Sequence, residues 1–178
     1  MAGKLTLIKK EVITTATSSI TMTGINTNDE HWLVINNLRT DGGTEARLRL
    51  TVGGNQNTAS EYDYRLTRYR VENTEQQSFG TNQTSWRILN TTGTPTGSHA
   101  NSIVKLSNLN NSSEFSFYTL EFTGSESSSG YVRGMYGAGF HTVTTACDGV
   151  HIFMNGSDDM IDGTFRLYRL GIWTITDT

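Results

Sequence analysis

The sequence predicts an all-β protein, a jelly-roll-like antiparallel β-sandwich in which residues 1–178 form a single domain. Apolar and polar residues alternate with a period of two along most of the chain, as in half-buried strands. No segment of a dozen residues keeps the apolar spacing of an amphipathic helix. Clusters of Gly, Asn, Asp, Ser and Thr recur between the alternating segments and indicate turns. Short strands separated by such turns are typical of a sandwich.

The clearest strand is Ala46–Val52. Ala46, Leu48, Leu50 and Val52 share one face, which we expect to be core, and Arg47, Arg49 and Thr51 share the other. About a dozen strands are predicted in all. The others are Lys4–Ile13, Ser19–Met22, His31–Leu38, Tyr62–Val71, Ser85–Leu89, Ser102–Leu106, Phe115–Phe122, Tyr131–Tyr136, Phe140–Thr144, Val150–Met154 and Thr164–Ile175.

Composition and charge argue against several classes of function. The net charge is −3 and the basic residues are dispersed, which argues against nucleic acid as a partner. The longest apolar run, Trp32–Ile35, is far below the roughly 18 residues of a membrane span, so we expect a soluble protein with no membrane partner. The single cysteine, Cys147, cannot form an internal disulfide and is interpreted as a small buried hydrophobic residue.

The sequence patterns that could indicate a metal site are weak. His141 and His151 flank the turn Asp148-Gly149 and could form a cross-strand pair, with Cys147 and Asp148 as further ligands, but ordinary strand histidines are favoured. The loop Asp158–Gly163 could offer oxygen ligands to calcium, but lacks the alternation of a helix-loop-helix site. We therefore predict no metal and no cofactor.

Catalysis is not predicted either. No serine occupies a Gly-x-Ser-x-Gly elbow, and no local Ser/His/Asp pattern is present. A glycosidase would need two carboxylates across a cleft, a pairing that sequence alone cannot establish. The available acidic residues are Glu61, Asp63, Glu114, Glu121 and Glu126.

The glycine-rich segment Gly134–Gly139 superficially resembles a phosphate-binding loop. Such loops need a following helix, whereas β-type residues continue here through Phe140 and Thr142. We interpret the segment as a strand in which glycines let a neighbouring backbone or a bulky ring approach closely.

Two segments are candidate interfaces. One strand interleaves Tyr62, Tyr64 and Tyr69 with Arg65, Arg68 and Arg70, and these residue types are common at interface hot spots, although tyrosines of a sandwich also occupy core edges. The terminal strand is apolar on both faces, as in a central or intermolecular strand, and its end carries Ile172, Trp173 and Ile175.

Taken in order, several segments resemble small jelly-roll virion structural proteins of tailed phages, especially those of marine and cyanobacterial hosts. Members of that family usually end soon after the Phe-x-Leu-Tyr strand, whereas this chain continues through Gly171–Thr178. The matching segments are Ser18–Ile25, Trp32–Leu38, Leu48–Gly54 followed by Ser60–Tyr64, Asp148–Phe153 and Gly163–Arg169.

The resemblance implies a non-enzymatic virion component. The leading hypothesis is a capsid decoration, or cement, protein on the outer surface of the phage head, with the major capsid protein and copies of itself in a homotrimer as partners. The alternative is a tail-fibre or receptor-binding module that grips a host glycan or protein with Phe79, Trp86 and Tyr131. A carbohydrate-active enzyme is the third hypothesis.

Overall fold

The computed structural model of the chain describes residues 3–70, 75–90, 98–125 and 132–171. Within them the chain forms thirteen β-strands and no helix, which confirms the predicted all-β class. The strands are β1 (Lys4–Ile13), β2 (Ser19–Thr23), β3 (Glu30–Thr40), β4 (Ala46–Val52), β5 (Asn55–Gln56), β6 (Tyr62–Arg70), β7 (Glu75–Gln83), β8 (Trp86–Leu89), β9 (Ala100–Ser107), β10 (Phe117–Ser125), β11 (Val132–His141), β12 (Gly149–Met154) and β13 (Met160–Gly171).

The strands form two antiparallel sheets. The larger sheet has eight strands in the order β1-β13-β3-β9-β10-β11-β6-β7. The smaller sheet has the order β2-β12-β4-β5, and β8 also pairs with β4. The two sheets pack as a sandwich, because alternate residues of strands in both are fully buried and belong to one hydrophobic core.

The core follows the predicted alternation. Ala46, Leu48 and Leu50 of β4 are buried, as expected, whereas Val52 is exposed because β4 there turns at the edge into the short strand β5. The largest buried side chains are Trp86, Tyr62, Tyr118 and Phe165. The Trp86 ring stacks on Tyr118 with centroids 4.6 Å apart and meets Tyr62 edge-on at 5.2 Å. Strand β8 of the smaller sheet is thereby fixed against strands of the larger one.

Two predicted strand assignments are wrong. The sequence predicts separate strands at Tyr131–Tyr136 and Phe140–Thr144, but a single strand, β11, runs from Val132 to His141. Strand β7 is missing from the prediction, because Phe79 is its only large apolar residue and no apolar alternation marks the segment. It lies at the edge of the larger sheet and is mostly exposed, so no apolar alternation is needed there.

The glycines of β11 confirm the interpretation of a strand thinned for close approach. A Cβ on Gly134 would lie 1.9 Å from Cζ of Tyr69, whose ring covers this glycine. A Cβ on Gly139 would lie 2.2 Å from the carbonyl oxygen of Asp63 and 2.5 Å from Cε1 of Tyr118. Any side chain at these positions would displace the neighbouring strand or ring.

Gly139→Ala is expected to lower the free energy of unfolding by about 1–3 kcal/mol, because the added methyl group overlaps backbone as well as a buried ring. Gly43→Ala is the matched control, since no atom lies within 4 Å of the position that its methyl group would occupy. Urea unfolding of both variants checks this. Equal stability of the two variants would contradict the packing role of Gly139.

Candidate binding surfaces

The outer face of the larger sheet carries a row of side chains that crosses all eight strands. Residues directly opposite each other on paired strands point to the same side of a sheet, so the register identifies the row. From one edge to the other it consists of Leu7, Tyr168, Trp32, Lys105, Thr119, Ala138, Arg65 and Phe79. The row passes through two apolar areas.

The first area, here called the docking patch, consists of Leu5, Leu7, Trp32, Tyr168 and Leu170 on strands β1, β13 and β3. Leu5 pairs with Leu170 and Leu7 with Tyr168, so the four side chains form two adjacent cross-strand pairs. Leu5 is 44% exposed and Leu7 49% exposed. The Trp32 ring extends the patch, with Nζ of Lys105 lying 5.2 Å from its centroid. The described part of the chain ends beside the patch, at Gly171 opposite Lys4.

The second area, here called the aromatic groove, is lined by Asp63, Arg65, Phe117, Ala138, Gly139 and Phe140 among others, on strands β6, β10 and β11. Its volume is about 330 Å³. Phe117 pairs across the strands with Phe140, and their ring centroids are 6.2 Å apart. Phe115 adds a third ring, 5.8 Å from that of Phe140. An open depression with aromatic walls therefore lies on the surface of the sheet.

The rim of the groove carries two charges. Asp63 accepts a hydrogen bond from the backbone N–H of Asn82 through Oδ1, at 2.7 Å. Arg65 is exposed and forms no ion pair with any described residue. The guanidinium is thus available to a ligand, and the carboxylate has one oxygen engaged with the protein.

A buried polar cluster lies on the inner side of the same strands. Nε2 of His141 is 3.2 Å from Oε2 of Glu61, and Nδ2 of Asn57 donates to the same carboxylate oxygen at 2.8 Å. The hydroxyl of Tyr62 donates to the carbonyl of Asn57 and accepts from the N–H of Leu50. This hydroxyl therefore ties β6 of the larger sheet to β4 of the smaller one.

Burial sets the ionisation of this cluster. It lowers the pKa of His141, although the Glu61 carboxylate opposes the shift, and it raises the pKa of Tyr62. Burial also lowers the pKa values of His31 and His151. The folded state therefore favours neutral imidazoles.

The predicted tyrosine and arginine interface is divided by the fold. Tyr62 is fully buried and Tyr64 nearly so, which makes both core residues and corrects their assignment to a contact face. Arg65 and Tyr69 are exposed on the outer side. Arg68 and Arg70 are half-buried, and Arg68 donates to Gln76. The tail residues Ile172, Trp173 and Ile175 lie outside the described residues.

The three aromatic residues of the receptor-binding hypothesis also differ in their exposure. Phe79 is 75% exposed on the edge strand β7. Trp86 is fully buried between Tyr62 and Tyr118, so its assignment to a gripping loop is wrong. Tyr131 lies outside the described residues.

The cross-strand pair of His141 and His151 that the sequence allows does not form. His141 lies on β11 in the larger sheet and His151 on β12 in the smaller one, where its Nδ1 is 2.8 Å from Oγ1 of Thr21. Cys147 is buried, and burial raises the pKa of its thiol to about 12. The Asp148 carboxylate accepts hydrogen bonds from Thr51 and Gly54. In the described part of the chain no three potential metal-ligating side chains of His, Cys, Asp or Glu cluster together.

The acidic loop before β13 has a structural role. Oδ2 of Asp158 accepts a hydrogen bond from the N–H of Thr44, and Oδ1 of Asp41 accepts one from the N–H of Asp159, both at 2.7 Å. Asp162 accepts from the N–H of Gly163. The carboxylates of Asp41 and Asp158 therefore join the loop between β3 and β4 to the loop between β12 and β13.

The carboxylates considered for glycoside hydrolysis have separate partners. Glu61 pairs with His141, Asp63 with the backbone of Asn82, and Glu114 with Asn111. Glu121 faces outward on β10, opposite Tyr136. Glu126 lies outside the described residues.

Sequence reasoning missed Phe117 and Phe140 as surface residues. The available signal was their position in β10 and β11, where they alternate with core residues such as Tyr118 and His141. Only the pairing of β10 with β11 brings them together.

Comparisons with protein-family models, with curated proteins and with solved structures find no match. Among the described residues no helix is long and apolar enough to cross a membrane.

The free energy of unfolding is expected to fall as the pH drops below about 6.5, the ordinary pKa of histidine. Because the folded-state pKa of His141 is lowered, the unfolded chain binds more protons in this range, and each such imidazole contributes a slope of up to about 1.4 kcal/mol per pH unit. His141→Gln should reduce the slope, which urea unfolding at pH 7.5, 6.5 and 5.5 measures. A slope identical to that of the parent would show that His141 is not a source of this dependence.

Proposed function

We propose that this chain is a phage virion structural protein that decorates the outer surface of the capsid and attaches through its docking patch. The observation that carries the proposal is the exposed apolar side of β1 and β13, where Leu5, Leu7 and Leu170 lie side by side on the outer face of the larger sheet. Contiguous apolar patches on a soluble protein mark interaction surfaces. The proposal includes no catalytic step and no cofactor.

The strand order supports assignment of the sandwich as a jelly roll, the architecture expected of such virion proteins. Strands β1-β13-β3-β9 belong to the larger sheet and strands β2-β12-β4-β8 to the smaller one. Consecutive members of this set alternate between the sheets except β4 and β8, which pair with each other. A Greek-key jelly roll is expected to have this strand order. The hairpins β6–β7 and β10–β11 then extend the larger sheet beyond this eight-strand set.

Attachment through the patch agrees with the charge of the protein and with avidity. Burial of about 200 Å² of apolar surface would contribute roughly 5 kcal/mol per subunit, before the cost of association. A homotrimer that engages three capsid sites would convert later contacts into intramolecular ones. The net charge of −3 favours the outer capsid surface over the DNA-facing interior.

A receptor-binding module at the tail is the second candidate, and the aromatic groove favours it. The copy number separates the two roles, since a decoration protein covers the head in hundreds of copies and a fibre tip is present in tens or fewer. Quantitative staining of purified virions against the major capsid protein measures this. A low copy number would contradict decoration and support the tail location.

Leu7→Asp should weaken attachment to capsids from which the protein has been stripped by at least about tenfold, because a charge would have to be buried in the contact. Val12→Asp is a closely matched control, since Val12 lies on the same strand, is also 49% exposed and is outside the patch. Co-sedimentation with stripped particles checks both. Equal binding by the two variants would exclude the docking patch as the attachment surface.

Removal of residues 172–178 is expected to weaken particle attachment or self-association more than it lowers the melting temperature. The segment contains Ile172, Trp173 and Ile175 and follows directly on Gly171 beside the docking patch. Light scattering, co-sedimentation and thermal unfolding of the shortened protein test this. Normal assembly together with unfolding many degrees earlier would assign the tail to the core instead.

A further inference from the structure

We infer that the aromatic groove binds a neutral hexopyranose unit of a glycan. The inference does not depend on the docking patch, because the groove is built on β6, β10 and β11, whereas the patch is built on β1, β13 and β3. Strand β9 separates these two parts of the larger sheet.

The floor of the groove is formed by backbone and by one small side chain. Ala138 contributes only a methyl group, and Gly139 and Gly80 contribute backbone. A Cβ on Gly139 or on Gly80 would point to the core side, towards Tyr64, so Ala138, opposite the exposed Arg65, is the residue that presents only a methyl group to the groove. Phe117, which is 45% exposed, and Phe140 rise beside this floor. The site thus offers an apolar shelf with aromatic walls.

A pyranose ring has the complementary chemistry. One of its faces presents C–H bonds, which carry partial positive charge and pack against the negative face of an aromatic ring. Its edge carries hydroxyl groups, each of which both donates and accepts hydrogen bonds. A ligand of this kind can lie on Ala138 and against Phe117 while its hydroxyls reach the rim.

The charges at the rim favour a neutral ligand of this type. Arg65 supplies donors and has no ion-pair partner among the described residues. Asp63 supplies an acceptor through Oδ2, because the backbone N–H of Asn82 engages Oδ1. The two opposite charges cancel, so the rim gives neither an anionic nor a cationic ligand a net electrostatic advantage over a neutral one. A purely apolar side chain would desolvate both groups without replacing their hydrogen bonds.

A second depression extends the site beyond Phe117. It has a volume of about 470 Å³ and is lined by Asn108, Ser113, Glu114, Phe115, Phe117 and Thr144. These residues again combine aromatic rings with amide, hydroxyl and carboxylate groups. Phe117 lines both depressions, so consecutive sugar units of one oligosaccharide can occupy its two sides.

The test is saturation-transfer NMR of the full-length protein with a panel of neutral mono- and disaccharides of glucose, galactose, mannose and their N-acetylated amines. At least one sugar should show saturation of its ring C–H protons. Phe117→Ala and Arg65→Ala should each weaken binding of that sugar at least tenfold. Tyr69→Ala is the control, because Tyr69 is an aromatic residue of nearly equal exposure, 46%, outside the groove lining, and this variant should bind like the parent.

Absence of saturation transfer with every sugar of the panel would overturn the inference. Equal binding by the Phe117→Ala variant and the parent would also overturn it, since the sugar would then bind elsewhere. Sedimentation velocity tests the other occupant, a second copy of the chain. Concentration-dependent association that Phe117→Ala abolishes and the sugars do not compete with would identify the groove as a self-association surface instead. None of these outcomes depends on attachment to capsids.

Discussion

Each sheet of the sandwich is held together by one of the last two strands, which lies between two of the first four strands. β12 pairs with both β2 and β4, and β13 pairs with both β1 and β3. Neither sheet is therefore continuous until the C-terminal part of the chain has folded. Such long-range pairing carries a large loop-closure cost and makes folding slow and cooperative. It also brings Gly171 at the end of β13 beside Lys4 at the start of β1.

The two-layer architecture explains why one face of the larger sheet is uncovered among the described residues. The smaller sheet and β8 bury the inner face of the larger sheet, whose outer face has no third layer among the described residues. Polar side chains occupy much of that outer face, as expected for an antiparallel sheet in contact with water. The docking patch and the aromatic groove depart from this rule. Apolar residues kept exposed at two separate places are more simply explained by binding than by folding.

The two faces of β6 and β11 separate a hydrogen-bonded cluster that links the sheets from the proposed glycan site. On the inner side, Tyr62 and His141 join a buried hydrogen-bonded cluster that links the sheets. On the outer side, Arg65 and Phe140 line the aromatic groove. Adjacent residues of one strand thus have different roles, because successive side chains point to opposite faces. The glycines of β11 allow β6 and the rings of Tyr69 and Tyr118 to pack closely against this strand.

Four features follow from the sequence alone, because they depend on local alternation and turn chemistry. They are the all-β class, most strand positions, the core face of β4 as far as Leu50 and the thinned strand at Gly134–Gly139. The sequence does not reveal β7, which has no apolar alternation and only one large apolar residue, Phe79. It also does not reveal whether Tyr62 and Trp86 are core or contact residues, because burial depends on what packs above a strand. The placement of His141 and His151 on different sheets and the contact of Phe117 with Phe140 emerge only in the folded molecule. These placements depend on pairing between strands distant in sequence, which a pattern of period two does not encode.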